Sequence, residues 1–576
     1  MQYLQNYNPL GNAFLSTLVA ALPVVTLLYF LALHPTKSNE GSLHKGIEAY
    51  KAALIAGIVS LLASILVFKM PVRTAAMSYV YGVLYGMFPI GWIVIAAMFL
   101  YTVTLVTGQF EIVKDTVASI SSDKRIQAIL IAFSFGAFVE GAAGFGTPVA
   151  ISGALMVGLG FKPLQAAILC LIANTAPVAF GALGTPITAL EGVTGIPAFT
   201  IAQMASRQLP FFSLIVPIWM VAAMVRMDGG KWSDVWNVWP ALLVSGGSFA
   251  LTQYFVGNHM GHMLVDILGG LVSMAAVAIF SRFWQPTKAY SAEDHPKARP
   301  AMDAPAMAGG TSYTTGQVVK AWMPWALLTV FVFLWGLPPV KNLLNSLPGA
   351  VINWNVPFVH GLVFRTPPVV AAHTLDKAVY TLNWLSAPGT GIMFAALISG
   401  LIIGMSGAQW VQVVRRTAQR LRMPLLTIGL VLGMGYVTKY SGMDAVLGLA
   451  FTKTGFFYPF FAAMLGWLGV ALTGSDTSAN VMFGGMQKIT AEQLGLSPIL
   501  ITTANSSGGV MGKMIDAQSI VVATAACYED KNEGKLAAGP IFRGVLPHSL
   551  LLASLMGCLV MLQAYVFPWV IPSITK

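Results

Sequence analysis

Apolar stretches of about 20 residues recur along this chain from residue 12 to residue 572, most of them joined by short connections. An α-helix needs about this length to cross the roughly 30 Å hydrocarbon core of a bilayer. Hydrophobic residues make up 56% of the 576 residues and charged residues only 9%, which lies outside the range of soluble globular domains. We therefore predict an all-α polytopic membrane protein with about 12 transmembrane helices plus two re-entrant hairpins, in one membrane transport domain over residues 1–576.

Polar, glycine-rich interruptions lie inside these apolar stretches, one pair in each half of the chain. The first half has residues 140–148 and 174–181, and the second half has residues 473–480 and 505–509. Hydrocarbon cannot satisfy free backbone N–H and C=O groups, so a broken helix at membrane depth must be buried in protein or line a watery cavity. Paired breaks of this kind are typical of the binding site of a secondary transporter.

The distribution of Lys and Arg predicts how the chain is oriented. Residues 407–423 carry four arginines and no acidic residue, which favours an amphipathic segment on the cytoplasmic surface. Counting spans from this segment makes residues 281–315 a cytoplasmic linker, and residues 126–190 and 457–526 each cross an odd number of times, in opposite directions. We predict that these two regions are the cores of inverted-topology repeats, each with a hairpin followed by a discontinuous helix.

Several other functions are excluded by the sequence. The net charge of +11 does not indicate a nucleic-acid partner, because the basic residues lie mostly in short loops, where they set orientation. Cys170, Cys527 and Cys558 lack metal-ligand spacing. Zinc-protease, phosphate-loop and nucleophile-elbow motifs are absent. We therefore predict no enzyme activity, no cofactor and no metal site.

Lys513 is the sharpest candidate for substrate binding. It follows the Gly508-Gly509 interruption by four residues, which is about 6 Å along a helix. A lysine at mid-helix costs about 2.5 to 3.5 kcal/mol on insertion scales, so it needs a partner. The partner is either a substrate carboxylate or, in a purely structural role, Asp516 or Asp476.

Glu140 and Asp476 lie in the two predicted hairpin breaks. A carboxyl group there can exchange a proton, bind a cation or cap a helix N-terminus. We predict that both couple transport to protons, and the alternative of a structural role, such as capping by Asp476, stays open.

Amide and hydroxyl side chains accompany the same interruptions. Half-helix N-termini that face a cavity offer partial positive charge and N–H donors to an anion. We predict that these side chains bind substrate beside such freed N–H groups, and the alternative is that they cap their own helices. The residues are Asn174, Thr175, Ser475, Thr477, Asn505, Ser506 and Ser507.

Four long stretches of the chain resemble the L-lactate permease family and occur in the family's order. They are residues 135–148, 174–181, 465–470 with 473–480, and 508–516. The likeness extends from residues 5–9 to residues 562–565, and so covers nearly the whole chain. The resemblance implies import of L-lactate, with glycolate or D-lactate, by proton symport across a bacterial inner membrane. It also implies kinship with transporter folds built from inverted repeats, with lactate and related 2-hydroxy monocarboxylates, protons and membrane lipid as partners, and it leaves a homodimer open.

A lactate anion that enters alone works against a negative-inside potential at about 2.3 kcal/mol per 100 mV. One accompanying proton removes that electrical cost. Two alternatives remain at this point: a sodium-coupled carrier for a small carboxylate, and an anion channel.

Overall fold

The computed structural model describes residues 2–37, 43–45, 47–144, 146–287, 290 and 313–573. Most of the predicted linker 281–315 lies outside the described residues, as does Phe145 in the first predicted break.

Long apolar helices make up most of the described chain. The first half contains α1 (Ala13–Leu28), α2 (Ala49–Leu66), α3 (Val72–Tyr85), α4 (Trp92–Val106), α5 (Gln109–Ala118), α6 (Lys124–Ala128), α7 (Gly136–Ala143), α8 (Thr147–Gly158), α9 (Pro163–Ala173), α10 (Gly181–Thr194), α11 (Ala198–Ala205), α12 (Leu209–Asp228), α13 (Trp232–Trp236), α14 (Trp239–His259) and α15 (Val265–Phe283). The second half contains α16 (Thr315–Gly336), α17 (Pro338–Ser346), α18 (Pro388–Ile403), α19 (Gly407–Ser441), α20 (Met443–Phe451), α21 (Tyr458–Thr473), α22 (Asp476–Gln493), α23 (Pro498–Gly512), α24 (Ala517–Cys527) and α25 (Lys531–Tyr565). A π-helical segment, Ile129–Phe135, joins α6 to α7.

Eleven helical segments of the described chain are long and apolar enough to cross a membrane. The number rises to twelve if one bent pair, Pro163–Ala173 with Val178–Thr194, forms a single span broken by 65°. This confirms the predicted all-α polytopic class with about 12 spans. The count rests on helix length and composition, and so leaves the re-entrant character of the hairpins as a prediction.

In the described chain, short strands lie in the N-terminal segment and in connections between helices. They are β1 (Tyr3–Leu4), β2 (Pro35–Lys37), β3 (Leu43–Lys45), β4 (Ile352–Asn355), β5 (Val363–Arg365), β6 (Thr374–Leu375) and β7 (Val379–Leu382). Among them β1 pairs in parallel with β5, so the N-terminal segment is fixed to the connection between α17 and α18.

The arginine-rich segment 407–423, predicted as an amphipathic segment on the cytoplasmic surface, is the N-terminal part of the continuous 35-residue helix α19. At 1.5 Å per residue α19 is about 50 Å long, well beyond the hydrocarbon thickness. Its first half buries Val413, Thr417 and Leu421 and exposes all four arginines. Since these buried residues are four apart, they form one stripe of an amphipathic helix that extends outside the membrane core.

The helices around the predicted breaks pack reciprocally. In the first half, α7 turns into α8 and α9 is followed by α10; in the second, α21 turns into α22 and α23 is followed by α24. Helix α10 packs on α22 of the other half, and α24 packs on α8. Lys124 Nζ donates to Gly160 O at 2.8 Å, which brings the two ends of the first hairpin together. The arrangement brings the two halves' helix breaks into one region.

Candidate functional site

Two glycines form the turn of the first hairpin. Gly144 and Gly146, between α7 and α8, have φ of 57° and 75°, a backbone conformation that glycine adopts without steric cost. A Cβ on Gly144 would lie 2.9 Å from the Cβ of Ala182. The turn of the hairpin therefore contacts the break of the following helix.

The start of α10, next to the break that follows α9, contains a short left-handed segment. Ala182, Leu183 and Gly184 have φ of 46°, 57° and 71°. For Ala and Leu this conformation costs roughly 1–2 kcal/mol per residue, so their surroundings must hold them there. Such backbone outliers cluster at functional sites.

Glu140 lies against this break. It is 4% exposed, and a Cβ on Gly181 would collide with its Oε1 atom. Asn174 lies close to the carboxylate. Among the described residues, both polar atoms of the Asn174 amide and the Oε2 atom of Glu140 have no hydrogen-bond partner. The structure thus brings together two polar side chains that have hydrogen-bonding capacity to spare.

The second hairpin turns at Gly474, which has φ of 72°. Ser475 is the N-cap of α22 and accepts a hydrogen bond from the Ser478 N–H at 3.2 Å. The suggested capping role of Asp476 is therefore wrong, because Ser475 already fills the cap position and Asp476 is the first residue of the helix. Ser475 and Thr477 are partly exposed at this turn.

The predicted break at Gly508-Gly509 is also wrong, since α23 runs without interruption to Gly512. Gly508 and Gly512 are four residues apart and therefore lie on one face of the helix. A Cβ on either would collide with a carbonyl oxygen of α21, that of Ala463 or of Trp467. These glycines serve close helix packing, as small residues do in membranes.

Asn505, Ser506 and Ser507 consequently lie inside a helix and not beside freed N–H groups. Ser506 Oγ donates to Asp476 Oδ2 at 2.5 Å. Asn505 Nδ2 donates to Asn480 Oδ1 at 2.8 Å, and Asn480 Nδ2 is 3.4 Å from Asp476 Oδ2. These side chains form one network that holds the Asp476 carboxylate between α22 and α23.

Two predicted site residues face elsewhere. Ser507 Oγ donates to Gln208 Oε1 at 2.7 Å, which ties α23 to the segment after α11. Thr175, two residues after the end of α9, donates from Oγ1 back to Ile172 O in that helix at 2.7 Å. Neither side chain joins the Asp476 network.

The real break in the second half follows α23 at Lys513 and ends where Asp516 caps α24 by accepting from Ser519 N–H at 2.7 Å. Lys513, 6% exposed, donates from Nζ to Gly474 O at 2.5 Å and lies 3.4 Å from Asp516 Oδ2. The ion pair with Asp516, the structural alternative, is thus present. The ammonium is also close enough to interact electrostatically with Glu140 and Asp476.

The family model of L-lactate permease matches residues 16–567 of this chain. The chain belongs to the L-lactate permease family. It is 46% identical to the glycolate permease GlcA of Escherichia coli (strain K12), over 98% of each chain. It is 46% identical to the L-lactate permease of Bacillus subtilis (strain 168), over 99% of this chain and 100% of that one. Among solved structures, the Alcanivorax borkumensis YdaH transporter matches at a TM-score of 0.43 and 12% identity, over 96% of this chain and 97% of that one.

Membership of the L-lactate permease family, together with eleven or more candidate spans, makes this protein a multi-pass bacterial membrane transporter and not an enzyme. The resemblance noted in the sequence is thereby confirmed.

Sequence analysis of this L-lactate permease family member missed three buried polar residues. Asn480 carried a signal, because it stands four residues after Asp476 and so shares its helix face. Gln208, between two helices, has no feature in the sequence that predicts its burial. Asp266 stands at the start of a span, where an acidic residue is ordinary helix-start chemistry.

Proposed function

We propose that this protein imports L-lactate, and with it glycolate and D-lactate, by proton symport across the inner membrane. The family model and the names of the relatives support this substrate class. One structural observation carries the proposal: the buried Lys513 lies in the break after α23 and bonds the second hairpin turn at Gly474, with Glu140 and Asp476 close enough to interact with it.

The proposed carboxylate ligand is Lys513. An ammonium group has three donors, and here the Gly474 carbonyl takes one while Asp516 stands at 3.4 Å. A substrate carboxylate can therefore be held without displacing the Gly474 contact. Asn174, whose amide has no protein partner in the described residues, is suited to the 2-hydroxyl group. Asn505 and Ser506 position Asp476, and Ser475 with Thr477 add polar contacts at the hairpin turn.

Proton coupling follows from the charges. Before substrate binds, the Lys513 ammonium favours ionised carboxylates around it. A substrate anion neutralises that ammonium, so Glu140 or Asp476 takes up a proton with the substrate. The loaded site then has the same net charge as the empty one. In this scheme the substrate and the proton each raise the affinity for the other.

The test is uptake of radiolabelled L-lactate into proteoliposomes under an imposed inward proton gradient, with and without sodium. Accumulation driven by protons alone supports the proposal. Accumulation that needs a sodium gradient and persists with a proton uncoupler would establish the sodium-coupled carrier instead, and conduction without accumulation would establish a channel. Protein-free liposomes correct for lactic acid that crosses the lipid directly.

A variant of the proposed proton carrier separates coupling from binding. Glu140→Gln keeps the size of the side chain but cannot release a proton. We expect it to lose accumulation under a proton gradient while exchanging internal for external lactate, because exchange needs no net proton movement. Accumulation at the wild-type level would remove Glu140 from the mechanism.

A further inference from the structure

Asp266 is a buried carboxyl group to which the proposed mechanism so far gives no role. It lies in the first turn of α15 and is 0% exposed. Neither of its carboxylate oxygens has a hydrogen-bond partner among the described residues. It therefore does not cap its helix, since a cap would accept a backbone N–H bond.

Close packing fixes Asp266 against the helix that carries Glu140. A Cβ on Gly141 of α7 would lie 2.7 Å from the Cβ of Asp266 and 3.0 Å from the backbone N of Ile267. A Cβ on Gly270, one turn along α15, would lie 2.7 Å from Phe138 N. Because each helix presents a glycine to the other's backbone, α7 and α15 cannot separate without losing this fit. Asp266 is thus held next to the residue that follows Glu140.

Glu140 is the charged residue next to Gly141, which packs against Asp266. It interacts with Asp266 electrostatically, and beyond it lie Lys513 and Asp516, which interact with Glu140. The other titratable side chains near α15 are exposed or have their own polar contacts. His259 is exposed, His262 Nε2 lies 3.0 Å from Thr188 Oγ1, and Glu191 accepts from the Ala198 N–H at 3.1 Å.

A buried carboxylate without a hydrogen bond or a cation is very unfavourable in the ionised form. Two neighbouring carboxyl groups in one apolar site do not both ionise readily, so they hold protons as a unit. A purely structural Asp266 would gain only the interaction of a carboxylate with the N-terminus of α15, because the group makes no hydrogen bond that an apolar side chain of similar size would lose.

We propose that Asp266 and Glu140 form a carboxyl pair that holds the coupling proton, with Glu140 as the member that senses substrate on Lys513. The inference rests on the proposed proton symport and adds a second residue to it. The pair keeps one proton when the site is empty and takes up a second when an anion neutralises Lys513. Asp266 touches no substrate in this scheme and acts through Glu140.

The test compares wild-type protein with Asp266→Asn in proteoliposomes under an inward gradient of two pH units. One-to-one symport can then hold lactate at about 100-fold its external concentration, since each pH unit corresponds to a factor of ten. We expect the ratio in Asp266→Asn to fall well below about 100, because Glu140 alone then has to hold and release the coupling proton. Exchange of lactate for lactate at equal pH should stay close to the wild-type rate.

Asp444→Asn is the matched control, because Asp444 is also buried but faces Lys439 and not Glu140. Accumulation by Asp266→Asn at the wild-type ratio overturns the inference while leaving proton symport intact. Loss of accumulation and exchange together, with lactate binding also lost, overturns it in favour of a structural role. Failure of the wild-type protein to use the proton gradient overturns the proposed function itself.

If Asp266→Asn does not fold, the Asp266→Glu variant provides the test of the carboxyl pair. This variant keeps a carboxyl group but moves it by one methylene. A member of a proton-holding pair should then change the pH at which accumulation is half-maximal, whereas an unchanged pH midpoint overturns the inference.

Discussion

Lys513 shows why one residue can serve both interpretations that the sequence left open. It makes the structural pair with Asp516, and the same ammonium bonds the hairpin turn at Gly474 and lies near Glu140 and Asp476. In the proposed scheme, a substrate that neutralises this cation changes the electrostatic surroundings of the turn, the helix break and both carboxyl groups. The structural pair and the proposed substrate role are therefore compatible.

Replacing Lys513 with alanine should raise the KM for lactate by about 10- to 100-fold, since a hydrogen bond to a charged group contributes roughly 1.5–3 kcal/mol. The measurement is the concentration dependence of lactate exchange. Lys488→Ala is the control, because that ammonium lies on α22 of the second hairpin but donates to Thr194 O at 2.7 Å, away from the Asp476 network. An unchanged KM in Lys513→Ala protein would remove Lys513 from the substrate site.

At the residue scale, the sequence identified charged residues inside apolar membrane segments, where a charge is uncommon. Lys513, Glu140 and Asp476 stood out because a charge inside an apolar segment needs a reason, and the structure buries all three. For uncharged polar side chains, the sequence did not distinguish those near the site from those that face elsewhere. Ser506 and Ser507 are neighbours in sequence, yet helix geometry sends one to Asp476 and the other to Gln208.

At the scale of elements, the glycines of α23 explain where the sequence-based prediction went wrong. A Gly-Gly pair permits a helix break and also permits two helices to approach closely. Whether such a pair breaks the helix or packs closely depends on the neighbouring helix. Here α21 places its Ala463 and Trp467 carbonyls against Gly508 and Gly512. The location of the first-half break at Asn174 was clearer, because Pro177 lies within it and has no N–H group for the hydrogen bond of a continuous helix.

Gly508→Ala should therefore destabilise the protein, by about 1–3 kcal/mol for a methyl group forced into a packed interface. The expected result is a lower Tm in detergent and less folded protein. Gly539→Ala is the control: it lies exposed in α25 with no atom within 4 Å of the added Cβ, so alanine should leave stability equal or slightly higher. An unchanged Tm in Gly508→Ala protein would contradict the close contact between α21 and α23.

At the scale of the whole molecule, the two halves meet through exchanged contacts, α10 on α22 and α24 on α8. Each discontinuous helix thus packs against the hairpin of the other half, so a shift of either half changes the surroundings of both breaks. The sequence predicted two related repeats from the spacing of polar interruptions and the loop charges. It could not predict this exchange, because which faces meet depends on packing between segments some 300 residues apart, such as the Asn480 bond to Pro186 O.

The direction of each repeat can be tested by cysteine labelling. Lys162 lies between α8 and α9, and Glu492 lies at the end of α22, just before the turn into α23. These positions are equivalent in the two repeats, so inverted topology places them on opposite sides of the membrane. In a background without Cys170, Cys527 and Cys558, we expect a membrane-impermeant maleimide to label Glu492→Cys in intact cells.

Lys162→Cys should react only after the membrane is opened, because the basic loops before and after the first hairpin favour the cytoplasm. Ser233→Cys, exposed in the short helix α13 next to Lys231, serves as the cytoplasmic control for reagent access. Labelling of positions 162 and 492 from the same side would show that the repeats are parallel. The inverted arrangement, and with it a substrate site shared by two oppositely oriented hairpins, would then have to be abandoned.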